Sequence, residues 1–511
     1  MILDEYLTSK EIQAVEFNAN YLGVSNLLLM ENAGKAVADL IASKFKPGSR
    51  IFLACGLGGN GGDGFVAARH LAARGYCIEV SLLGASKLIK SEEAKQNYNV
   101  CSSMYKTVNL NSVNDSSEVK PIEADVIVDS IIGYTYKRNL TPIAKAMINA
   151  INYSTAFKVA VDIPTGMIAD TGEAPELCVA ADTTITFHKP KTGFKSKSIQ
   201  LGKLIVAPIG LPFEAELFTG PGDVLLVHRE RGIESHKGMY GRLLVVGGNE
   251  TYHGAPLLTT LGALSTGLDL CYTAVPETVS NAVASHNPSI IVNKLKGAHL
   301  NHENVDSLLP ILDRADAIAV GPGLGLNDST KKTVIDLIKI IEKRGIPMVI
   351  DADAIKAFAE DYRKLKHPAV FTPHAKEFEI LTGKTAEGEF KEKGQLVQKE
   401  AQRLGAVILL KGSVDVISDG VHTRYNWTGN PGMTVGGTGD VLTGLTAGYM
   451  AQGAQPMQAA CAAAFINGAA GDSVYADKGY HILPENLIQK IPYIIEESIQ
   501  GKKRVNSEVK I

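Results

Sequence analysis

The chain of 511 residues is poor in several things that narrow its function. It has one tryptophan, and its six cysteines (Cys55, Cys77, Cys101, Cys178, Cys271 and Cys461) are scattered with no CxxC pair. Scattered single cysteines predict reduced, buried thiols in a cytoplasmic protein. No apolar run approaches the roughly 18 residues that span a bilayer. The opening Met1-Ile2-Leu3-Asp4-Glu5 lacks a basic stretch followed by an apolar core, so no signal peptide is expected. The net charge is only −3, which gives no electrostatic case for nucleic acid or an anionic membrane as partner. Short repeats and low-complexity stretches are also missing.

What remains is a globular composition, 45% hydrophobic and 21% charged. The length exceeds one ordinary core and predicts two or three domains of roughly 100–250 residues each. The 50 glycines cluster in loops after apolar runs, as in nucleotide sites. Two halves each repeat a strand, a glycine loop and a helix. In the first, 50–55 reads as a buried strand, 56–64 as the loop and 65–74 as the helix, with further strands at 78–83, 124–129 and 158–162. Segment 9–44 reads as one or two helices. The second half restarts with a strand at 242–246, followed by strands at 317–320, 347–350, 369–371 and 406–410. Alternation of this kind predicts parallel α/β sheets covered on both faces. Pro212, Pro221 and Gly222 punctuate the join, and the expected domains are residues 1–222 and 223–511. The charged tail 501–511 is expected to be mobile.

The most informative stretch is Asn430-Pro431-Gly432-Met433-Thr434-Val435-Gly436-Gly437-Thr438-Gly439-Asp440, which runs into an apolar, helix-compatible segment, 441–450. Glycines at a helix start leave backbone N–H groups bare and aligned with the helix dipole, which makes an anion hole. A carboxylate directly behind that hole repels phosphate. It reads instead as a base for a hydroxyl that attacks the phosphate. On its own the stretch reads equally well as a glycine-rich turn before a core helix.

Other second-half motifs are HKGMYG (236–241), GAPLL (254–258), VGPGLG (320–325), DADAI (351–355), TPHAKE (372–377) and LLKGSVDV (409–416). In this order, with the glycine loop, they resemble the ADP-dependent NAD(P)H-hydrate dehydratases, a ribokinase-like family, over roughly 223–492. The resemblance implies that Asp440 is the base for the hydrate's C6 hydroxyl. It implies that Lys411, Gly412, Ser413, Val414, Asp415, Asn430, Pro431, Gly432, Gly436, Gly437, Thr438 and Gly439 bind ADP. It also places Gly323, His374 and Glu377 beside the hydrate. From the residues alone, Gly323 reads as a position where only a missing side chain admits a bulky ligand, and His374 to Glu377 could equally be a helix start. Asp351 and Asp353 end a strand and fit either Mg²⁺ or water ordering, or a helix N-cap. The chain has Ala375-Lys376 where the family has Pro-Gly, which predicts altered loop geometry with function retained. Gly468 and Gly471 read as close helix contacts.

In the first half, Gly56 to Gly64 lies between a strand and a helix, a dinucleotide or phosphate position. With MENAG (30–34), VDSIIG (128–133), VDIPTG (161–166) and FHKPKTG (187–193) it resembles the NAD(P)H-hydrate epimerases over about 7–212. The resemblance implies that Asn60, Asp129 and Thr165 hold K⁺, hard oxygen ligands for a hard cation. It implies Asp162 as acid/base. Gly59, Asn60, Gly61, Gly62, Asp63, Gly133, Tyr134, Thr135, Tyr136, Lys137, Arg138 and Asn139 would line the hydrate site, with Arg138 a phosphate partner. Gly59 replaces a usual Asn, Thr135 a usual Gly and Thr165 a usual Ser.

The fold expected is α/β in two domains: an N-terminal Rossmann-like three-layer sandwich and a C-terminal ribokinase-like domain. The function expected is repair of hydrated NADH and NADPH: R and S hydrates are interconverted, and the S form is dehydrated with ADP, giving AMP and phosphate. The expected partners are NADHX, NADPHX and ADP, with K⁺ in the first domain and Mg²⁺ in the second, and further copies of the chain. Two rivals stay open. One is an ATP-dependent small-molecule kinase of ribokinase-like fold with a non-catalytic N-terminal binding domain. The other makes the first domain a ligand-binding regulator or scaffold.

Overall fold

The computed structural model describes residues 5–137, 139–196 and 198–501. The chain divides into two compact units, Leu3–Pro212 and Phe213–Ile511. Residues 213–222, given to the first domain by the sequence punctuation, fold with the second unit. There Thr219 N–H donates to Tyr425 O at 2.8 Å, and Arg424 donates to Phe218 O at 2.7 Å. Among the described residues no helix is long and apolar enough to cross a membrane.

The first unit is built on strands β1 (Arg50–Cys55), β2 (Cys77–Leu83), β3 (Val108–Val113), β4 (Val126–Ser130), β5 (Phe157–Val161), β6 (Thr183–Phe187) and β7 (Lys203–Ala207). They form one parallel sheet in the order β3-β2-β1-β4-β5-β6-β7. Side chains alternate across a strand. Ile51, Leu53 and Cys55 therefore join one apolar layer with Val37, Ile41, Phe65 and Leu71, while Phe52 and Ala54 join the opposite layer with Met147, Ile148 and Ile151. Helices thus cover both faces, the three-layer arrangement expected. The chain leaves β1 toward β2 and returns to β4 on the other side, so a crevice opens between the carboxyl ends of β1 and β4. The next helix begins at Gly59, not Phe65. The glycine loop is therefore largely the helix's own first turns.

The second unit carries β8 (Arg242–Val246), β9 (Leu270–Pro276), β10 (Ile291–Leu295), β11 (Ala317–Val320), β12 (Met348–Ile350), β13 (Ala369–Phe371), β14 (Val407–Leu410), β15 (Asp415–Ser418) and β16 (Thr423–Asn426). Their order is β10-β9-β8-β11-β12-β13-β14-β15-β16, with antiparallel pairing only at β14–β15 and β15–β16. The central strands are buried along their length, as a sheet covered on both faces requires. Helix Thr438–Ala451 is buried from Val441 to Ala451 and presses against helix Gly254–Leu264. A Cβ on Gly444 would stand 2.0 Å from Thr259 O, so no side chain fits between them there.

Candidate functional site

In the second unit the segments after β12, β13 and β14 bring Asp351, Glu377 and Lys411 into electrostatic contact with Asp440, at the start of helix Thr438–Ala451. Asp351 follows β12 and is buried. His374 and Glu377 follow β13, and Lys411 follows β14. The β13 and β14 ends are pinned together by Lys411 N–H donating to Pro373 O at 2.9 Å. Lys411 Nζ lies 3.2 Å from Asp351 Oδ1. The other Asp351 oxygen accepts from Thr443 Oγ1 at 2.6 Å. Asp351 is therefore no N-cap; Ala352 holds that position with φ 49°. Asp353 holds the 320–325 loop through Gly325 N–H at 2.9 Å.

Helix Thr438–Ala451 starts behind Gly437, whose φ of 101° favours glycine. Thr438, Gly439 and Asp440 are its first three residues, so their backbone N–H groups belong to the unpaired first turn. A Cβ on Gly439 would lie only 3.3 Å from Lys411 Nζ, which places the ammonium at the mouth of this turn. Burial pushes the Asp440 carboxyl up to about 7, with Asp351 adding, Lys411 opposing and Glu377 adding. Burial works against the Lys411 charge, yet Asp351, Glu377 and Asp440 together hold its pKa above the ordinary value. Four groups from four elements thus meet at one helix start whose first-turn N–H groups are bare.

The remaining second-unit residues support that start. Gly412 N–H donates to Asp415 Oδ1 at 2.9 Å, closing the turn that holds Ser413 and Val414. Asp415 in turn accepts from Asn426 Nδ2 at 3.0 Å, and burial pushes its carboxyl up to about 6. Asn430 accepts from Gly432 N–H at 3.0 Å and donates to Asp472 at 3.0 Å, and Pro431 lies in the same short turn. Gly436 is exposed with open space around it. His374 is the N-cap of helix Ala375–Thr382: its Nδ1 accepts from Lys376 N–H and Glu377 N–H, and Glu377 Oε2 accepts from His374 N–H at 3.0 Å. The helix-start reading of these two residues therefore holds, and the Ala375-Lys376 departure leaves the cap intact. Gly323 has a reason internal to the fold, since its Cβ would meet Tyr252 O at 2.5 Å with φ 68°. Gly468 and Gly471 make room for Thr428 and Met433 of the Asn430 loop; they are not helix–helix contacts.

In the first unit a cavity of about 850 Å³ opens at the carboxyl ends of β1, β4 and β5. Gly59, Asn60 and Asp63 line it from the helix after β1. Gly133, Tyr134, Thr135, Tyr136 and Lys137 line it from the loop after β4, and Asp162 lines it from the end of β5. Gly61 and Gly62 are buried against Gly56 and Met30, so they pack the helix in place. Asn139 has φ 71°, and its N–H donates to Glu176 at 3.1 Å. Arg138 lies outside the described residues. A Cβ on Gly59 would meet nothing within 4 Å, so this departure from the family pattern leaves space rather than a clash.

Asp162 has φ 65°, a conformation a non-glycine residue adopts only when its surroundings enforce it. Its N–H donates to Ile185 O at 2.7 Å, Thr186 Oγ1 donates to its Oδ1 at 3.2 Å, and the buried Lys191 ammonium donates to the same oxygen. At the end of β4, Asp129 Oδ1 accepts from Thr165 Oγ1 at 2.6 Å, and Oδ2 accepts from Thr165 N–H at 2.8 Å. Burial pushes the Asp129 carboxyl up to about 6. Both side-chain amide atoms of Asn60 are buried without a hydrogen-bond partner.

Three residues of these sites escaped the sequence reading. Thr443 lies one turn beyond Asp440 in an apolar helix, and that position was its only signal. Lys191 lies inside the 187–193 motif and is 1% exposed. Glu16 follows Ile12 by four residues on a helix face that buries Ile12, Val15 and Ala19.

A family model described as NAD(P)H-hydrate dehydratase matches residues 243–493, and one described as YjeF-related protein N-terminus matches residues 26–193. The chain is 44% identical to the bifunctional NAD(P)H-hydrate repair enzyme of Hyperthermus butylicus, over 98% of this chain and 94% of that protein. It is 43% identical to the enzyme of the same name from Pyrobaculum aerophilum, over 96% of this chain and 98% of that one. Among solved structures, a ribokinase-like superfamily protein of Enterococcus faecalis is 27% identical with a TM-score of 0.50, covering 56% of this chain and 96% of that chain.

Proposed function

The chain belongs to the bifunctional NAD(P)H-hydrate repair enzymes, and on that premise we propose how its two units divide the work. The first unit interconverts the R and S hydrates, and the second dehydrates the S form with ADP. The observation that carries the second assignment is a carboxyl raised to about 7, Asp440, standing behind the bare first turn Thr438-Gly439 beside Lys411. A base of that pKa is half-ionised near neutrality, where general-base catalysis is most effective.

Asp440 takes the proton of the C6 hydroxyl as its oxygen attacks the terminal phosphorus of ADP. The bond from phosphorus to the bridging oxygen breaks and its electrons leave with AMP. The N–H groups of Gly437, Thr438 and Gly439, with the Lys411 ammonium, stabilise the charge on the moving phosphoryl group. One such donor is worth about 3–4 kcal/mol of barrier in a preorganised site. The ring nitrogen's lone pair then expels phosphate from C6, and loss of a C5 proton restores the dihydronicotinamide double bond. Lys411, Gly412, Ser413, Asn430 and Gly436 complete the nucleotide site in this reading, and Gly323, His374 and Glu377 flank the hydrate. Magnesium would enter with the nucleotide's phosphates; Asp351, the nearby strand-end carboxylate, is already bonded to Lys411 and Thr443. Among the described residues no cluster of three His, Cys, Asp or Glu forms a metal cage.

In the first unit Asp162 is the proton-transfer group at C6. Asn60, Asp129 and Thr165 fit a potassium ion: a buried amide oxygen without a partner, a carboxylate and a hydroxyl. When bound, the ion supplies positive charge beneath the cavity. A cytoplasmic location is proposed on the six free cysteines.

The deciding experiment uses separated R and S hydrates of NADH, with ADP or ATP, followed by the near-ultraviolet band of regenerated NADH. Recovery from both epimers with ADP is the expected result. Accumulation of a stable phosphorylated product without NADH would turn the second unit into a kinase. Recovery from S alone would make the first unit a binding module.

A further inference from the structure

Replacing the C6 hydroxyl by a water from the other side of the ring needs a proton given to the leaving oxygen and a proton taken from the entering one. Those two oxygens cannot occupy one place. Asp162 is held by Thr186, by Lys191 and by its own strained backbone, so it serves a single position. The cavity has a further carboxylate on a different element. Glu16 lines it from helix Ser9–Tyr21. That helix is fastened at its start to the segment bearing Lys191. Leu7 N–H donates to Pro190 O at 3.0 Å, Thr192 N–H donates to Leu7 O at 3.0 Å, and Ser9 N–H donates to Asp170 at 2.6 Å. The first two bonds hold the backbone on either side of Lys191, the third fixes the start of the helix, and Ile12 and Glu16 of that helix line the cavity. Glu16 Oε2 accepts from the Tyr134 hydroxyl at 3.0 Å, and Tyr134 lines the same cavity from the loop after β4. The match to the N-terminal family model begins at residue 26, beyond this helix.

We propose that Glu16, oriented by Tyr134, is a second catalytic acid/base of the epimerisation, working with Asp162 on the same hydrate; this rests on the epimerase reading above. In one direction Glu16 gives its proton to the C6 oxygen. The C6–O bond breaks with its electron pair on oxygen, the ring nitrogen's lone pair forms N1=C6, and water leaves. Water then adds at the other face, the N1=C6 pair returns to nitrogen, and Asp162 takes the extra proton. The reverse direction exchanges the two roles.

The charges around Glu16 suit a group that must carry either protonation state. Burial pushes its carboxyl up to about 7, the Tyr134 bond opposes this, Asp162 adds to it and Lys191 opposes it. Asp63, from the helix after β1, is the remaining carboxyl in electrostatic contact, and it too is pushed well above the usual range by burial. His188, Lys90, Glu93 and Lys137 also line the cavity.

The test follows R-to-S conversion of purified hydrate by the full-length protein without nucleotide, using chromatographic separation of the epimers. E16Q is expected to lower kcat by about 10²–10⁴-fold with KM nearly unchanged, and to remove the limb of the pH profile near 7. Y134F keeps the carboxyl but loses the bond that favours its ionised form, so the limb should move to higher pH. Circular dichroism and the thermal unfolding profile of each variant, compared with wild type, report that the first unit is folded, and dehydration of the S hydrate reports the same for the second. An E16Q rate within about twofold of wild type, with the limb in place, would overturn the proposal. If E16Q does not fold, an unmoved limb in Y134F overturns it instead. A wild-type protein that fails to interconvert the epimers removes the epimerase reading itself, and that outcome is separate from any variant-specific result.

Discussion

The Lys411 ammonium lies 3.2 Å from Asp351 Oδ1, at the mouth of the helix that begins with Thr438, Gly439 and Asp440. Asp351 spends its second oxygen on Thr443 of that same helix, at 2.6 Å. The carboxylate therefore ties strand end, lysine and helix into one piece. It fixes a positive charge beside the bare first turn of that helix, and preorganised charge of this kind needs no rearrangement during a reaction.

Lys411→Met should move the pH dependence of dehydration as well as weaken ADP. Lysine opposes the rise of the Asp440 carboxyl, so its removal raises that pKa further above about 7. The base works ionised. Activity therefore falls as pH drops through the Asp440 pKa, and the acid limb of kcat/KM shifts to higher pH in the variant. An acid limb that stays in place while KM for ADP rises would make Lys411 a phosphate contact alone.

Asp440→Asn should abolish dehydration while ADP still binds. The substitution keeps shape and first-turn backbone but removes the proton acceptor, a loss of about 10²–10⁴ in kcat for a general base. Calorimetric titration of ADP together with the NADH-recovery assay separates the two effects. Normal turnover by the variant would move the base elsewhere in the group of Asp351, Glu377 and Lys411.

Asp223→Ala should destabilise the second unit by about 3–5 kcal/mol, the usual consequence of leaving a buried charge without its partner. Arg424 is buried, its Nη1 lies 3.1 Å from Asp223 Oδ1, and its Nε has no hydrogen-bond partner. Burial works against the guanidinium, and the Asp223 charge offsets it. Urea unfolding of the variant, read by fluorescence of Trp427 stacked on Phe218 at 4.1 Å between ring centroids, measures the change. A midpoint within experimental scatter of wild type would show that water reaches Arg424.

The strands legible in the sequence were the buried ones with uninterrupted apolar runs, such as Arg50–Cys55 and Arg242–Val246. Val108–Val113 was missed because it is an edge strand in which Asn109 and Asn111 alternate with apolar residues. Thr183–Phe187 was missed because threonines fill its buried positions. The helix start at Gly59 reads as a loop because of its glycines, which lower helix propensity yet are required where Gly61 meets Gly56 O and Gly64 meets Cys55 and Ser130. Asp440 was legible because a motif surrounds it. Glu16, Lys191 and Thr443 were not, since a polar side chain on a buried face reads as a packing accident until the partner across the cavity is seen. Gly323 shows the converse: beside any ligand it admits, the fold itself requires its glycine, since a Cβ there would meet Tyr252 O at 2.5 Å.

Replacing K⁺ by a bulky organic cation should slow R-to-S conversion while leaving dehydration of the S hydrate unchanged, because the three candidate ligands all lie in the first unit. Asn60 decides the point. Its amide oxygen and nitrogen are buried without partners, an arrangement that costs about 1–3 kcal/mol per group unless something binds there. Asn60→Ala should therefore lose the cation response of the epimerase without a matching loss of stability. Thr165→Ser keeps the hydroxyl that donates to Asp129 at 2.6 Å and should retain the response, whereas Thr165→Val should not. Titrating KCl against epimerisation rate for the three variants, at constant ionic strength, reads the result. A response that survives Asn60→Ala would place the ion elsewhere and leave the amide as a contact for the hydrate.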